Sequence, residues 1–417
     1  MKKIFLTAVA AVVALAAAAA SPMLTNFTAS QCEGSLTPYP AEINPATYPD
    51  TLVPVFINHV GRHGARYPAS SANSMTLRQA LERADSAGTL TPLGRKLRAL
   101  NEEVIRRSTD RWGALDSLGE AEQRAIATRM FYNFGEAFSG GTVKAISSYS
   151  PRCMMSMYSF THQLDRMDNR IEFVTSTGRV NSPLMRYFDL NEAYVDYRKD
   201  GAWQTAYQEY VVSSCPTAAI ERVLGRNYPY GSDDDRRRLA LVEYYVVAGC
   251  SAMSLPVSQS DYFTREELNA LWSCFNLRQY LQRTATTVST LPADIASDLL
   301  MELITTTDNY IDGQAPAQLM LRFGHAETLM PLLSLMHLPG CYYMTNYFDT
   351  VASHWQDFNV VPMAANLQMI LFKARGSGQY YLRVDLNEKP VSLIPNNTAK
   401  YLPWSQARSY LMRCVSM

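Results

Sequence analysis

The sequence predicts an α/β protein: a Rossmann-like sheet with helices on both faces, built from the two ends of the chain around an inserted, mainly helical domain. Three observations predict it. Apolar runs rich in β-branched residues or leucine, at 52–59, 143–150 and 319–324, each end in a tight turn, and the second and third pass straight into helical patterns. From about 165 to 300 apolar residues recur at helical spacing, as in 203–212, 236–249, 265–283 and 293–307, with Arg170 to Val174 the main strand-like exception. Near the C-terminus, Met369 to Arg375 and Gln379 to Asn387 read as strands joined by Gly376-Ser377-Gly378, a hairpin signal, before a helix at 404–413. These changes place the sheet domain at 40–160 and 300–417 and the helical insertion at 161–299.

The chain opens Met1-Lys2-Lys3 and continues with an apolar run from Ile4 to Ala20, followed by small residues. A positive start, a short apolar stretch and small residues at its end predict a signal peptide over 1–20. The run is too short and too weakly hydrophobic for a lasting anchor, so no membrane span is expected after cleavage. The expected location is a periplasm or the outside of the cell. Residues 21–50, polar and proline-dotted, are expected to wrap the surface. Lys plus Arg equals Asp plus Glu at 38 each, so no overall field draws nucleic acid or membrane, and a polyanionic ligand would need a local basic cluster. The seven cysteines include no C-x-x-C pair, which leaves a zinc site without support. Their odd number leaves at least one thiol unpaired, with Cys153 the expected free one.

The first strand leads into Gly61-Arg62-His63-Gly64-Ala65-Arg66-Tyr67-Pro68, a loop that holds a histidine between two arginines. Glycine fits where a Cβ would obstruct the turn. Arg62 and Arg66 offer planar forks that match phosphate oxygens. Two fixed cations disfavour the protonated form of His63 and keep it neutral and nucleophilic. The combination suits attack on phosphorus while arginines hold the phosphoryl oxygens. His59 lacks flanking cations and is expected to be a packed strand histidine.

The stretch from Arg62 to Pro68 resembles the R-H-G-x-R-x-P signature of the histidine acid phosphatases, whose histidine becomes phosphorylated. Downstream, Thr91-Pro92 caps an amphipathic helix at 92–107, and a second helix spans about 119–137. The segment Leu118-Gly119-Glu120-Ala121-Glu122 is similar to the one that follows the signature in that family. The strand at 143–150 runs into Pro151-Arg152-Cys153, placing Arg152 at a helix N-terminus where free amides favour anions. Its context resembles the third phosphate-gripping arginine of the family. Leu184-Met185-Arg186-Tyr187-Phe188-Asp189 resembles a segment that carries a substrate-contacting arginine in inositol polyphosphate phosphatases, which implies that role for Arg186. Arg179 has no motif behind it and is expected at the surface. Asp233-Asp234-Asp235-Arg236-Arg237-Arg238 is expected to be a solvated helix start, acids first.

The second half of the site is Leu321-Arg322-Phe323-Gly324-His325-Ala326-Glu327-Thr328-Leu329-Met330-Pro331, a buried strand ending at Gly324 and a helix with Pro331 expected in its first turn. His325 and Glu327 thus sit at a strand's carboxyl end, as His63 does, where ligands bind in open α/β sheets. Most histidine acid phosphatases carry His-Asp here; Ala326 cannot transfer a proton, and the carboxylate arrives one residue later. His-Ala-Glu followed by Thr-Leu-x-Pro resembles the multiple inositol polyphosphate phosphatases, a phytase-like branch. The resemblance implies phosphoryl binding by His325 and proton donation, then water activation, by Glu327. Glu327 must be protonated when substrate binds, and an adjacent phosphate dianion would raise its pKa in that direction.

The implied protein has the histidine phosphatase fold, with the helical domain roofing the cleft. It would be a secreted phosphomonoesterase needing no cofactor, with inositol hexakisphosphate (phytate) and lower inositol phosphates as substrates. The catalytic set is His63, Glu327, Arg62, Arg66, Arg152 and His325, with Arg62, Arg66, Arg152, Arg186 and His325 binding substrate. A general acid phosphatase for sugar or nucleotide monoesters would share this site. A non-catalytic phosphate-binding protein would need the arginines but not Glu327. A phosphoryl mutase of the same superfamily is disfavoured by the export signal and the Arg66-Tyr67-Pro68 ending.

Overall fold

A computed structural model describes residues 26–138 and 141–416; the signal peptide expected at 1–20 lies outside these. Eight strands form one mixed sheet: β1 (Leu52–Arg62), β2 (Thr142–Ser147), β3 (Glu172–Ser176), β4 (Leu319–Gly324), β5 (Asn366–Ala374), β6 (Tyr380–Leu386), β7 (Lys389–Val391) and β8 (Leu402–Pro403). Their order is β3-β2-β4-β1-β5-β6-β7, with β8 paired to β6. The first four of these run parallel, and β5 to β8 extend the sheet with antiparallel pairs. β4 is buried at every position, as expected of a strand covered on both faces, and its one charged residue, Arg322, pairs with Glu302 at 3.1 Å.

The longer helices are α1 (Ala72–Ser86), α2 (Pro92–Ser108), α3 (Ser117–Asn133), α4 (Pro151–Met167), α5 (Trp203–Ser214), α6 (Asp233–Ala248), α7 (Arg265–Arg283), α8 (Ser297–Ile311), α9 (Ala326–Leu335) and α10 (Trp404–Val415). One sheet face, with Ile57, Leu319 and Leu321, packs on Ile126, Met130, Met157 and Phe160 of α3 and α4. The other, with Phe56, Val60 and Met320, packs on Leu300, Leu303, Leu329 and Leu411 of α8, α9 and α10. Burying a side chain of this kind stabilises by about 1.5–3 kcal/mol. A separate core joins Leu77 and Leu81 of α1 and Leu97 of α2 to Ile220, Leu239 and Val247. The helical layer therefore draws on residues before 160 as well as after, and β3 joins the sheet from within 161–299.

Several boundaries differ from the sequence reading. Ala72–Ser86 forms a helix that was not expected, and α3 stops at Asn133. Pro331 lies inside α9, beyond its first turn, because the helix already begins at Ala326. Cys32 to Leu36 do not wrap the surface: they are buried in a 3-10 helix, with Phe27 edge-on to Trp272 at 5.0 Å. Asp357 fixes this segment by accepting from the Ser35 N–H at 2.7 Å. The block at 233–238 opens α6 as expected, Ser232 capping it and Arg237 pairing with Asp234 at 3.0 Å. Among the described residues no helix is long and apolar enough to cross a membrane.

Glu243 of α6 is fully buried, and neither carboxyl oxygen has a partner among the described residues. Burial pushes its carboxyl up to about 8. The native chain then keeps a proton that the unfolded chain releases at about pH 4.3. Stability from this group is full below that lower value and is lost as pH rises through the upper one. Glu243→Gln is expected to remove this slope, up to about 1.4 kcal/mol per pH unit between pH 5 and 8. Urea unfolding at stepped pH measures it; identical slopes in both proteins would contradict the assignment.

Candidate active site

The parallel pairing of β1 and β4 sets Arg62 opposite Gly324, so His63 and His325 leave the sheet side by side. Their rings stand 5.7 Å apart, edge to face. β2 flanks β4 on its other side with Ser147 opposite Phe323, which delivers the start of α4, and Arg152, to the same end. Residues some 260 positions apart in the chain thus share one site because of strand register.

The signature loop is held from several directions. Glu122 of α3 accepts the N–H of Ala65 at 2.7 Å, and Gln123 donates to the Arg62 carbonyl at 3.0 Å. A Cβ on Gly64 would lie 2.4 Å from the Gly119 carbonyl oxygen, and one on Gly119 would lie 2.2 Å from that of Ala65. The loop and the start of α3 touch backbone to backbone, which accounts for both glycines. His63 Nδ1 lies 2.9 Å from the Gly64 carbonyl, an acceptor only, so Nδ1 carries the proton and Nε2 keeps its lone pair. Burial, then Arg152, Arg62 and Arg66, hold His63 well below its ordinary pKa, and the ring is neutral.

Arg62 donates Nη1 to the carbonyls of Ser35 and Val361, both at 2.6 Å. Burial and Arg66 press against its charge, which a guanidinium nevertheless keeps. Arg66 donates to the Tyr67 carbonyl at 2.8 Å. Among the described residues, the buried Nε–H groups of Arg62, Arg66, Arg152 and Arg283 have no acceptor. Buried donors rarely stay unpaired, and several on arginines that line one cleft mark a place for an anion.

His325 is enclosed by donors. Ser148 Oγ and Arg186 Nη1 each lie 2.9 Å from Nε2, and Arg152 Nη2 lies 3.3 Å from Nδ1. Burial and Arg152 pull its pKa down to about 3. Cys153, a buried free thiol, donates to the Gly324 carbonyl at 3.1 Å behind the ring. Arg186 pairs with Asp189 and lies over Tyr149 and Phe188, so it reaches the cluster through His325. Arg179 is exposed over Tyr149. His59 is buried between Phe160 and Phe323.

Glu327, in the first turn of α9, pairs with Arg283 at 3.0 Å. Burial would push its carboxyl up, but Arg283, leading the surrounding charges, holds it well below the usual carboxylate range. The cleft, about 280 Å³, is lined by His63, Glu327 and five arginines: Arg62, Arg66, Arg152, Arg278 and Arg283. Ser35 and Leu36 form part of its wall. Sequence reasoning missed Arg278, Arg283 and this N-terminal wall. The arginines come singly from the end of α7, with no motif around them. Through Tyr245, Phe275 and Arg278 the cleft adjoins a larger cavity of about 890 Å³. The smaller one is the candidate site, because His63 and Glu327 both line it. Among the described residues, no group of three or more His, Cys, Asp or Glu could hold a metal ion.

A neutral buried histidine, clustered guanidinium groups and a single carboxyl group, at the carboxyl ends of parallel strands, define a phosphoric monoester hydrolase. Residues 55–387 match the family model of the histidine phosphatase superfamily (branch 2), and the chain belongs to that family. It is 26% identical over 384 residues to multiple inositol polyphosphate phosphatase 1 of Homo sapiens, covering 84% of this chain and 77% of the human one. The Gallus gallus protein of the same name is 25% identical, over 87% of this chain and 82% of its own. The fold is that of the Bifidobacterium longum multiple inositol polyphosphate phosphatase, solved in complex with inositol hexasulfate. That match has a TM-score of 0.75 at 16% identity and covers 91% of this chain and 97% of the other. The phytase from D. castellii shares the fold with a TM-score of 0.69 at 16% identity, over 93% and 86% of the two chains.

Proposed function

We propose that this chain hydrolyses inositol polyphosphates, phytate among them, through a phosphohistidine on His63. The observation that carries this is the charge of the cleft: five arginines and one carboxylate line it, in a chain whose formal net charge is +0. One phosphoryl group needs fewer cations than that. The names of the human, chicken and Bifidobacterium longum relatives support the same substrate class.

In the first step Nε2 of His63 attacks phosphorus and the bond to the leaving alcohol oxygen breaks. Arg62, Arg66 and Arg152 hold the equatorial oxygens, with the buried Nε–H groups as the donors in waiting. His325 binds the phosphoryl group from the other side, and Arg186 adds its charge through His325. Glu327 gives its proton to the leaving oxygen, then takes one from the water that attacks the phosphohistidine. The arginines supply the positive charge, so the reaction calls for no cofactor.

The test is phosphate release from inositol hexakisphosphate with EDTA present, beside an aryl phosphate. The expected kcat/KM favours inositol hexakisphosphate by about tenfold or more, since each further hydrogen bond to a charged group contributes about 1.5–3 kcal/mol. Release from the aryl phosphate alone would remove the inositol claim, and release from neither would leave a phosphate-binding protein. We also propose export, on the pattern of residues 1–20. N-terminal sequencing of the protein recovered outside the cytoplasm checks it; a chain still beginning at Met1 would contradict it.

A further inference from the structure

Resting on the reading above, we propose that Arg283 is a substrate-operated latch on Glu327: a second phosphate of a polyphosphorylated substrate takes Arg283 away and so frees the acid to hold a proton. In the resting protein Arg283 is the last residue of α7, and its Nη2 lies 3.0 Å from Glu327 Oε1. The guanidinium lines the cleft together with His63. Its Nη1 donates to the side-chain oxygens of Gln279 and Gln282, while its buried Nε–H has no acceptor among the described residues, so the guanidinium is only partly satisfied. An incoming phosphate offers three oxygens to the same fork, a better match than one carboxylate oxygen.

The other groups acting on Glu327 cannot be removed in this way. Arg62 and Arg152 also interact with the Glu327 charge, but in the reading above both hold the phosphoryl group being transferred. His325 is neutral, and the Cys153 thiol and the Tyr187 and Tyr194 phenols keep their protons. Arg283 is thus the cation whose partner a second phosphate can change. While it stays on Glu327, the carboxylate is ionised and has no proton to give. Once it turns to the substrate, burial and the neighbouring dianion favour the protonated acid. The proton enters from solvent on binding and passes to the leaving oxygen as the bond to phosphorus breaks. Discrimination between poly- and monophosphates then lies in kcat as well as KM.

The experiment compares the unmodified protein with Arg283→Met on inositol hexakisphosphate and on an alkyl monophosphate such as glycerol 2-phosphate, across pH. In the unmodified protein, turnover of the monophosphate is limited by a group that must be protonated. Arg283→Met is expected to move that limb up by about one pH unit or more, and to narrow the kcat ratio of the two substrates about tenfold. KM for inositol hexakisphosphate rises in the same variant. An unmoved limb, or equal losses of kcat on both substrates, would overturn the latch. Absence of turnover of inositol hexakisphosphate by the unmodified protein would instead overturn the substrate reading, while the limb shift on glycerol 2-phosphate still tests the latch. Calorimetry on the unmodified protein in buffers of different ionisation heat gives a second readout, independent of the variant's folding. Binding of inositol hexasulfate is expected to take up about one proton and inorganic sulfate none, with the uptake lost in Glu327→Gln. Equal uptake with both anions would overturn the proposal.

Discussion

Alanine in place of His63 is expected to abolish phosphate release from every substrate, a loss on the order of 10⁴-fold or more in kcat. His63 Nε2 is the atom with a free lone pair at the centre of the arginine cluster, because Nδ1–H is spent on the Gly64 carbonyl. Among the described residues no second imidazole and no thiol lines the cleft: Cys153 lies behind His325, buried, with its thiol pushed up to about 11. The arginines remain, so affinity for inorganic phosphate should change far less than turnover. Steady-state assays with calorimetry of phosphate binding separate the two. Retained turnover in His63→Ala would contradict the phosphohistidine, and loss of phosphate binding would show that the imidazole mainly supports the arginines.

Glu327→Gln is expected to lower kcat on alkyl phosphates, inositol phosphates among them, by about 10²–10⁴-fold, the range for removing a general acid. Glutamine keeps the volume and an acceptor oxygen for Arg283 but has no proton of suitable acidity. The loss should be smaller for transfer from an aryl phosphate, whose leaving group departs without protonation. Breakdown of the phosphohistidine needs the same residue as a base and should be slow with any substrate. Comparing the two leaving groups by single-turnover kinetics measures this. Equal losses in the phosphorylation step would place Glu327 in binding.

Much of this site was legible in the sequence because each half is local. One turn carries Arg62, His63 and Arg66, and another carries His325 and Glu327, so short motifs hold most of the candidate site. That the halves meet depends on β1 and β4 being neighbours with Arg62 opposite Gly324, a pairing no local pattern prints. Arg283 and Arg278 were not legible, because each is one arginine on a long amphipathic helix, and only the packing of α7 over the sheet end turns them inward. The same holds for Ser35, which Asp357 fixes from 322 residues away. The missed helix α1 does have helical spacing in its buried Leu77, Ala80, Leu81 and Ala84. Its alanines carry too little hydrophobicity for that stripe to stand out. The fold class was easier, since strand-to-helix alternation at both chain ends and helical spacing between them are written in the periodicity itself.

The central claim is that phosphorus passes through His63 and that Glu327 then activates water. The most direct measurement mixes Glu327→Gln with a phosphorus-labelled aryl phosphate, quenches in alkali on the millisecond scale and maps the label. The account predicts a burst of aryl alcohol stoichiometric with enzyme, and alkali-stable, acid-labile label on the peptide that contains His63. Turnover without a burst, or label on any other residue, would contradict it.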